Sequence, residues 1–523
     1  MRANSQEGPR MTELLTGARL ADGTGAPLRD AEVLLDRGRI TAVEPPGTLP
    51  QHHPRRDLTG LVLAPGFIDA HSHADNAPLL TEHDTTKILQ GVTTEVVGNC
   101  GFSLAPNTRT DVLDGFLRRL FPPVEITWSG FAELFTATDS AGHVTNHCPL
   151  IGHGTLRVAA TGMTDAAPST EGLRHMRAML EEGMSAGAFG LSTGLIYPPA
   201  MFATTGELTA LAEVLGGDGL YATHMRDEGD HLLEAIDEAL HIGRVAGRTH
   251  LSHLKVTGPR NWGTMPAALD RIHLARQSGH DVLQDVYPYT ASSTTLTSVL
   301  PTDYLTGSSE HTLARLTATV AHDELAAALG ENLHPDRILI ATTASHRREG
   351  RTLAELAAAE DTDPLQVLID VLVDEDLRVA MIHFSMHEDD LELALRDAGT
   401  MIGSDGLPPG SGGRPHPRMT GTFPRVLGRY ARERGVLDLP DAIRRMTSLP
   451  AEAFGIPDRG VIAPGRIADL VAFDPDIVID VGDYQDPVRP PAGIPWVCLA
   501  GRTVVDAGEF LGTRAGQRLN PRT

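Results

Sequence analysis

The stretch APGFIDAHSH, residues 64–73, is an apolar strand that ends in two histidines and begins the long middle part of the chain. Side chains alternate across a strand, so His71 and His73 point in the same direction, two residues apart. Two imidazoles on one face can hold a metal ion, because a neutral imidazole nitrogen is a good metal ligand. We therefore predict that this segment is the first strand of a barrel and carries part of a metal site.

The segment that follows, as far as residue 455, alternates apolar runs with helical stretches. The apolar runs are TTEVVGNC (93–100), PLIGHG (149–154), GAFGLSTG (187–194), GLYATHM (219–225), RTHLSHL (248–254), DVLQDVYPY (281–289), VAMIHF (379–384) and GTMIGSDG (399–406). Residues 170–187 and 229–247 are typical of helices, and the second has the apolar spacing of an amphipathic one. This alternation implies parallel strands, and about eight of them predict a (β/α)₈ TIM barrel. An open doubly wound sheet is the alternative, which the lack of GxGxxG after a first strand disfavours.

Both ends of the chain have the pattern of short β-strands. Residues 11–63 and 456–510 alternate apolar and polar positions and are interrupted by turn pairs such as Asp-Gly. We predict that the two ends assemble into one small β-sandwich domain beside a catalytic barrel formed by residues 64–455. The stretch 288–342 is longer than one strand–helix loop needs, so we predict an insertion within the barrel that packs over its mouth.

The two ends of the chain and the cysteines are the features that bear on its cellular location. Residues 1–10 lack the apolar core of a signal peptide and are predicted to be a disordered tail, with Met11 as an alternative start. Residues 511–523 are predicted to be a C-terminal tail. Three cysteines far apart in sequence cannot build a disulfide framework, so we predict a cytoplasmic location.

The composition is acidic, with 44 Lys and Arg residues against 68 Asp and Glu residues and a net charge of −24. Nucleic acids and anionic membranes require basic patches, so we predict a small-molecule substrate and neither of those partners. The chain has no run of eighteen apolar residues, as a membrane-spanning helix would need. Only Lys87 and Lys255 are lysines, which suggests a specific role for each. The oligomeric state is left open.

Four further polar residues follow apolar runs, where a barrel places its active-site side chains. They are Cys100, His224, His253 and Asp405. Taken singly, such residues are usually a buried inert cysteine, hydrogen-bonded core histidines and a turn aspartate. Together with the histidine pair of the first strand they predict a metal centre. Asp405, at the end of the final strand, could take a proton from a water molecule beside the metal.

Other residues near strand ends have a lower priority. His153 and His383 also follow apolar runs and are candidates for supporting the metal ligands or contacting a substrate. Cys148 and Cys498 are predicted to be buried and inert, which is the usual state of isolated cysteines.

Taken in order, these segments resemble the D-aminoacylase (N-acyl-D-amino-acid deacylase) family of the amidohydrolase superfamily. The similar segments are PGFIDAHSHADN (65–76), QGVTTEVVGNCGFSLAP (90–106), GLSTGLIYPPA (190–200), THMRDEG (223–229), SHLKVTGPRNWG (252–263), DVYPYTASST (285–294), IGSDGLPP (402–409), HPRMTGTFPRVLGRY (416–430) and MTSLPAEAFGI (446–456). The resemblance extends over nearly the whole chain. PGRIADLVAFDP (464–475) is similar to a β-sandwich segment shared across the superfamily.

The resemblance implies a zinc centre. His71 and His73 match the family's histidine pair, and Cys100 matches a thiolate between two metal positions. His224 and His253 match the remaining ligands of a tightly held zinc ion, and a second, weaker zinc site is left open. Other amidohydrolases bridge their metals with a lysine on strand four. The predicted fourth strand, FGLSTGL, has no lysine, which argues against a hydantoinase or a dihydroorotase.

The resemblance also implies hydrolysis of N-acyl-D-amino acids to a carboxylate and a free D-amino acid. Lys255, Tyr287 and Arg418 match residues that bind the substrate α-carboxylate. Residues 291–301, ASSTTLTSVLP, contain no basic side chain, which favours substrates with apolar side chains. The alternatives are an acidic N-acyl-D-amino-acid deacylase, a D-dipeptidase with the same site, and a non-catalytic barrel scaffold.

Overall fold

The computed structural model describes residues 12–521 without three positions, Arg119, Pro409 and Ser411. The predicted tail at residues 1–10 and the alternative start at Met11 lie outside the described residues. None of the helices in the described part of the chain combines the length and the apolar surface that a bilayer crossing requires.

Seven short strands form the N-terminal part of the chain. They are β1 (Glu13–Thr16), β2 (Arg19–Leu20), β3 (Arg29–Asp30), β4 (Glu32–Asp36), β5 (Arg39–Glu44), β6 (Arg55–Asp57) and β7 (Val62–Pro65). Four of these strands form a sheet in the order β5-β4-β1-β6, whereas β7, β2 and β3 belong to a second sheet.

The barrel begins directly after β7, with only Gly66 between the two strands. Its first strands are β8 (Phe67–Asp69), β9 (Val92–Val97), β10 (Asn146–Pro149), β11 (Ile151–Gly152), β12 (Leu191–Gly194), β13 (Gly219–His224), β14 (Gly247–Leu251) and β15 (Asp281–Val286). The helices between them are α1 (Thr110–Leu117), α2 (Phe131–Ala141), α3 (His153–Thr161), α4 (Thr170–Ser185), α5 (Thr205–Ala212), α6 (Leu232–Ala246) and α7 (Met265–Gln277).

An excursion leaves the barrel after β15. It contains β16 (Ser292–Thr295), α8 (Ser309–Leu316), α9 (Ala321–Leu329), β17 (Ile338–Thr343), α10 (Leu353–Glu360), α11 (Pro364–Asp374) and β18 (Val379–His383). The three strands form an antiparallel sheet in the order β16-β18-β17. The insertion predicted at 288–342 is therefore too short, because its sheet continues to His383. VAMIHF, predicted as a barrel strand, is β18 of this sheet, and apolar periodicity cannot distinguish the two settings.

The chain then returns through α12 (Glu388–Arg396) to the last barrel strand, β19 (Thr400–Ile402). Since β10 and β11 are separated by Leu150 alone, they act as one strand, and the barrel has eight strand positions joined by parallel pairing. The Ala70 N–H donates to Ile402 O over 3.2 Å, and Ser72 bridges to Gly406, which closes the circle between β8 and β19. The predicted (β/α)₈ barrel is confirmed.

Helix α6 shows how the outer ring is held on the barrel. Its buried residues are Leu232, Ala235, Ile236, Ala239, Ile242, Gly243 and Ala246. They recur at intervals of three and four positions, so they form one apolar stripe that faces the strands. Complete burial of each of its large aliphatic side chains contributes roughly 1.5–3 kcal/mol.

After β19 come four helical segments and then four strands that complete the second sheet of the sandwich. They are α13 (Arg418–Arg425), a π-helical continuation (Val426–Glu433), α14 (Leu439–Arg445), α15 (Ser448–Ala453), β20 (Leu470–Phe473), β21 (Trp496–Leu499), β22 (Arg502–Asp506) and β23 (Glu509–Phe510). This sheet has the order β23-β22-β21-β20-β7-β2-β3. Leu15 and Val33 of the first sheet pack with Leu63, Leu470 and Trp496 of the second, so the predicted β-sandwich from both chain ends is present.

The described part of the predicted C-terminal tail lies against the barrel. Gly516 and Arg518 form bridges with His143 and His147, and Leu519 is buried. β7 of the sandwich continues almost directly into β8 of the barrel, with no linker that would mark a boundary between the two domains. The domain limits drawn from the sequence therefore stay a prediction.

Candidate metal centre and active site

The carboxyl ends of the barrel strands bring the predicted metal ligands and Asp405 together. Of the six residues, His71 and His73 follow β8, Cys100 follows β9, His224 ends β13, His253 follows β14 and Asp405 follows β19. All six are buried. The sequence could place each residue at a strand end, and the closure of the barrel brings these strand ends into one site.

Cys100 is the centre of this arrangement. Its Sγ lies 3.3 Å from His71 Nε2, 3.7 Å from His224 Nδ1 and 3.5 Å from His253 Nε2. Two potential metal-binding sets share this sulfur, and in each set the donor atoms lie within 4.8 Å of one another. The first set is His71, His73, Cys100 and Asp405, and the second is Cys100, His224 and His253.

The environment of Cys100 favours a thiolate. Burial alone would raise the pKa of its thiol, but His71 and His253 beside it lower that pKa well below its usual value. By contrast, burial raises the pKa of both Cys148 and Cys498, as expected for inert core thiols. Because a thiolate is the form that binds metal ions, Cys100 is the cysteine suited to that role.

The backbone at the site is unusual in three places. Cys100, His253 and Asp405 have φ values of 53°, 37° and 49°, in the left-handed region that side chains with a Cβ rarely adopt. Such conformations each cost of order 1–3 kcal/mol and persist where the surrounding structure imposes them, commonly at functional sites. Three of the six residues that converge here have such a conformation, which indicates that the surrounding structure holds their side chains in place for a function.

The donor set fits a transition-metal ion. Thiolate and imidazole ligands together suit zinc and related metals. His73 Nδ1 is buried and makes no hydrogen bond, although a buried nitrogen of this kind normally has a partner. His71 Nε2, by contrast, lies near both Cys100 Sγ and, at 3.6 Å, Asp405 Oδ1. The residues present are therefore compatible with one metal ion or with two that share Cys100.

A carboxylate that the sequence analysis missed supports His71 from behind. Asp285 Oδ2 lies 3.4 Å from His71 Nδ1 and 2.7 Å from His250 Nε2, which directs the Nε2 edge of His71 towards Cys100. A Cβ at Gly403 would lie 2.5 Å from Asp285 Oδ1, so only glycine allows β19 to approach this pair. One signal was available, because Asp285 precedes Tyr287 by two residues and shares its strand face.

The three residues predicted to bind a carboxylate are brought together around one ring. Arg418 Cζ lies 4.6 Å, and Lys255 Nζ 5.7 Å, from the centre of the Tyr287 ring. The Tyr287 hydroxyl is buried and makes no hydrogen bond. Lys255 Nζ contacts Glu228 Oε1 at 2.5 Å, which sequence reasoning did not foresee.

Asp405 joins the predicted carboxylate-binding group to the predicted metal ligands. Its Oδ1 lies 3.1 Å from His73 Nε2, and its Oδ2 lies 2.9 Å from Arg418 Nη1. Burial would raise the pKa of Asp405, but Arg418 and His73 lower it well below its usual value. Asp405 is thus held as a carboxylate that can accept a proton.

A cavity of about 380 Å³ opens onto this group. His73, Cys100, Asp405 and Arg418 lie on its wall, whereas Lys255 and Tyr287 do not. The excursion after β15 supplies another part of the wall. Its wall residues are Ser293, Thr294, Thr295, Thr342, Thr343, Ala344, His346, Arg378, Val379 and Ala380. The insertion therefore limits the size of any ligand, as a structure over the barrel mouth should.

His153 and His383, the two candidates of lower priority, lie outside the cavity and outside the predicted metal centre. His153 is buried at the start of α3, where its Nε2 lies 2.9 Å from Glu207 Oε1. His383 ends β18 in the insertion, and burial, with His334 and Arg337, lowers its pKa to about 4. Both follow apolar strands, but neither lines the cavity, so that signal alone does not locate a functional residue.

Lys87, one of the two lysines, lies beneath the site. Its Nζ donates to Asp69 Oδ2 at 2.9 Å and to Ser404 Oγ at 2.6 Å. It also lies 3.2 Å from Ser72 Oγ and 3.6 Å from Glu95 Oε2. This buried network connects the strands that carry His71, Cys100 and Asp405, so the lysine stabilises the base of the site.

Replacing Lys87 with methionine should destabilise the protein by about 3–5 kcal/mol, because Asp69 and Glu95 would remain buried without their cation. Urea unfolding followed by circular dichroism measures this loss. Arg174→Met is the control, because Arg174 pairs with Glu171 on the surface and its removal should change the free energy of unfolding little. Equal losses in the two variants would contradict the role given to Lys87.

Comparison with known proteins identifies related enzymes. The sequence profile of the group described as "Amidohydrolase family" matches residues 56–505. The chain is 38% identical to the D-aminoacylase of Alcaligenes xylosoxydans xylosoxydans, with 97% of each chain covered.

Two solved structures share the fold over 98% of this chain. One is a D-aminoacylase studied for its binuclear metal center, with 36% identity and a TM-score of 0.83 over 98% of this chain and 100% of that chain. The other is an N-acyl-D-glutamate deacylase from Bordetella bronchiseptica, complexed with zinc and a phosphonate mimic of the tetrahedral intermediate. It is 35% identical, with a TM-score of 0.83 over 98% of this chain and 99% of that chain. The chain therefore belongs to the amidohydrolase family and, within it, to the D-aminoacylase (N-acyl-D-amino-acid deacylase) family.

Proposed function

We propose that this protein is a zinc-dependent hydrolase that converts N-acyl-D-amino acids to a carboxylate and a free D-amino acid. The observation that carries the proposal is the pair of buried donor sets that share Cys100 Sγ at the wall of a cavity, with Asp405 beside them. The names of the related enzymes, D-aminoacylase and N-acyl-D-glutamate deacylase, support the substrate class.

Cys100, His224 and His253 would hold the tightly bound zinc ion. His71 and His73, with the same sulfur, would hold a second and weaker one. In the related D-aminoacylase, one metal activates and a second attenuates, so we expect one zinc ion to be sufficient here. When bound, zinc supplies Lewis acidity, which activates water and polarises the amide carbonyl group.

Asp405 is the proposed general base and acid. Its carboxylate is held by Arg418 and His73, so it is ionised before substrate binds and can accept a proton from the attacking water. The water oxygen forms a bond to the carbonyl carbon, and the bond from that carbon to nitrogen breaks. Asp405 then returns the proton to the leaving nitrogen, which produces a carboxylic acid and a free amine. Proton transfer by a positioned side chain contributes about 10²–10⁴-fold in rate.

Arg418, Tyr287 and Lys255 are proposed to bind the α-carboxylate of the substrate. Arg418 lies on the cavity wall, where Nη1 is 2.9 Å from Asp405 Oδ2 and Nη2 donates to Ser293 O, and its remaining N–H groups can donate to a substrate carboxylate. The carboxylate contact, the scissile carbonyl and the side-chain pocket fix three points around the substrate Cα. Such a site accepts one enantiomer, and the related enzymes indicate that it is D.

Apolar side chains are the proposed preference. The segment 291–301 carries no basic residue, and Phe102, Phe121 and Leu407 lie on the cavity wall. A second candidate is an acidic N-acyl-D-amino acid, because Arg118 and Arg378 also lie on the wall and could bind a second carboxylate. The cytoplasmic location predicted from the sparse cysteines stays a prediction.

The test is hydrolysis of N-acetyl-D-methionine and N-acetyl-L-methionine by purified protein of known zinc content. We expect turnover of the D form alone, lost on chelation and restored by zinc. N-acetyl-D-glutamate and a dipeptide with a C-terminal D-residue are assayed in parallel, and a faster reaction with either would replace the apolar preference. No turnover of any of them by zinc-loaded protein would contradict the proposed function.

A further inference from the structure

Glu228 lies in the loop after β13, four residues after His224, with a side chain that is 11% exposed. Its carboxylate faces three groups of the site. Oε1 lies 2.5 Å from Lys255 Nζ and 3.1 Å from His253 Nδ1, and Oε2 lies 3.5 Å from His224 Nε2. No other carboxylate is in ion-pair contact with any of these three atoms within the described residues.

The contacts with the two histidines follow one pattern. His253 presents Nε2 to Cys100 Sγ and Nδ1 to Glu228. His224 is oriented the other way, with Nδ1 towards Cys100 and Nε2 towards Glu228. A neutral imidazole carries its proton on one nitrogen, and a neighbouring carboxylate favours the tautomer that has an N–H directed at it. One carboxylate on the outer side of both rings therefore leaves both inner nitrogens free to act as ligands.

The contact of Glu228 with Lys255 affects how closely this lysine can lie to His253. Lys255 Nζ lies 2.7 Å from His253 Nδ1, where an ammonium group can donate only to a nitrogen that carries no proton. If Nε2 of His253 is the ligand, Nδ1 carries the proton of the neutral ring, and the two N–H groups repel each other. Glu228 Oε1 lies within hydrogen-bonding distance of both groups, so its negative charge allows them to remain adjacent. The same contact holds the ammonium group over the Tyr287 ring, next to Arg418.

We propose that Glu228 is a positioning residue that serves two parts of the site at once, an inference that rests on the proposed function. It orients His224 and His253 towards Cys100, and it holds Lys255 in place for the α-carboxylate of the substrate. In this proposal Glu228 affects both zinc affinity and substrate binding, although it contacts neither the zinc ion nor the substrate.

The test is Glu228→Gln, which preserves size but removes the charge. We expect zinc affinity, measured by competition with a chelator, to fall about 10–100-fold, the usual effect of losing the partner of a ligating histidine. At saturating zinc, KM for N-acetyl-D-methionine should rise about tenfold, equivalent to one lost hydrogen bond to a charged group, and kcat should change less.

Glu207→Gln is the matched control. Glu207 is also a buried glutamate that contacts a histidine nitrogen, on His153, and a cation, on Arg157, but it lies outside the cavity. A merely structural effect of neutralising a buried glutamate should appear equally in both variants. The proposal requires zinc affinity and KM of Glu207→Gln to stay at the wild-type values, whatever its thermal stability.

The possible outcomes are distinct. Unchanged zinc affinity or unchanged KM in Glu228→Gln, or equal changes in the control, would overturn the proposal. If the glutamine variant does not fold, Glu228→Asp keeps the charge but shortens the reach and should weaken both properties to a smaller extent. If the wild-type protein hydrolyses none of the acyl-D-amino acids, the proposed function fails, and the zinc measurement alone then decides the role of Glu228.

Discussion

Asp405→Asn should lower kcat for N-acetyl-D-methionine by at least about 10²–10⁴-fold, the usual contribution of a general acid–base group. Asparagine has the same shape but cannot accept the proton from water or return it to the leaving nitrogen. The tightly bound zinc ion should be retained, because Cys100, His224 and His253 are unchanged. Turnover under substrate saturation and metal analysis of the same sample measure the two properties.

Asp397→Asn is the matched control for this experiment. The Asp397 side chain is also only 5% exposed, and it pairs with Arg276 and His273 at 2.8 Å and 2.5 Å, but it is not on the cavity wall. Its replacement should lower the melting temperature and leave kcat unchanged. If Asp405→Asn kept most of the wild-type turnover, Asp405 would not be the general base.

Cys100→Ala should weaken zinc binding by more than about 100-fold, beyond the effect expected for a residue that only supports a ligand. The sulfur is common to both donor sets, so its removal leaves neither set complete. Turnover should be lost in dilute zinc, and the addition of zinc should restore little of it. Chelator competition and activity titrated with zinc provide the measurements.

The control for this second experiment is Cys148→Ala. Cys148 is also buried, but burial raises the pKa of its thiol, and it belongs to neither donor set. This variant should retain wild-type zinc affinity and activity, with some loss of stability from the smaller side chain. Wild-type zinc affinity in Cys100→Ala would place the metal elsewhere and remove the basis of the proposed mechanism.

Local sequence pattern was sufficient to predict most of the barrel. Each candidate ligand and Asp405 lies at or just after the end of a short strand within an apolar run, and a barrel of parallel strands directs such ends to one face. The same pattern failed for residues 379–384, because a short apolar strand has the same periodicity in an inserted sheet as in a barrel. Its partners, β16 and β17, are set by tertiary pairing that the local pattern does not contain.

The candidate site was predictable for a similar reason and to a similar extent. The candidate metal ligands were recognisable by residue type and by their position at or after the end of a strand. The family resemblance then assigned each of them a role in the zinc centre. The contacts of the supporting groups could not be predicted, even for Lys87, because they connect distant segments. Lys87 meets Ser404 across 317 positions, and Asp285 meets His71 across 214. Glu228 is a further case, since nothing in MRDEG distinguishes its carboxylate from that of the neighbouring Asp227.

The pairing of β7 with β20 also determines when the protein can finish folding. Pro65 at the end of β7 lies opposite Leu470, so the sandwich strand that leads into β8 lacks this neighbour until roughly 400 further residues have been synthesised. At about 5–20 residues per second, the ribosome needs on the order of 20–80 s for that length. All the cysteine and histidine ligands proposed above emerge well before this moment. The sandwich beside the metal site is therefore completed only when the C-terminal strands have been synthesised. In a nascent chain that stops before residue 470, the edge of β7 that pairs with β20 is left open to incorrect pairing.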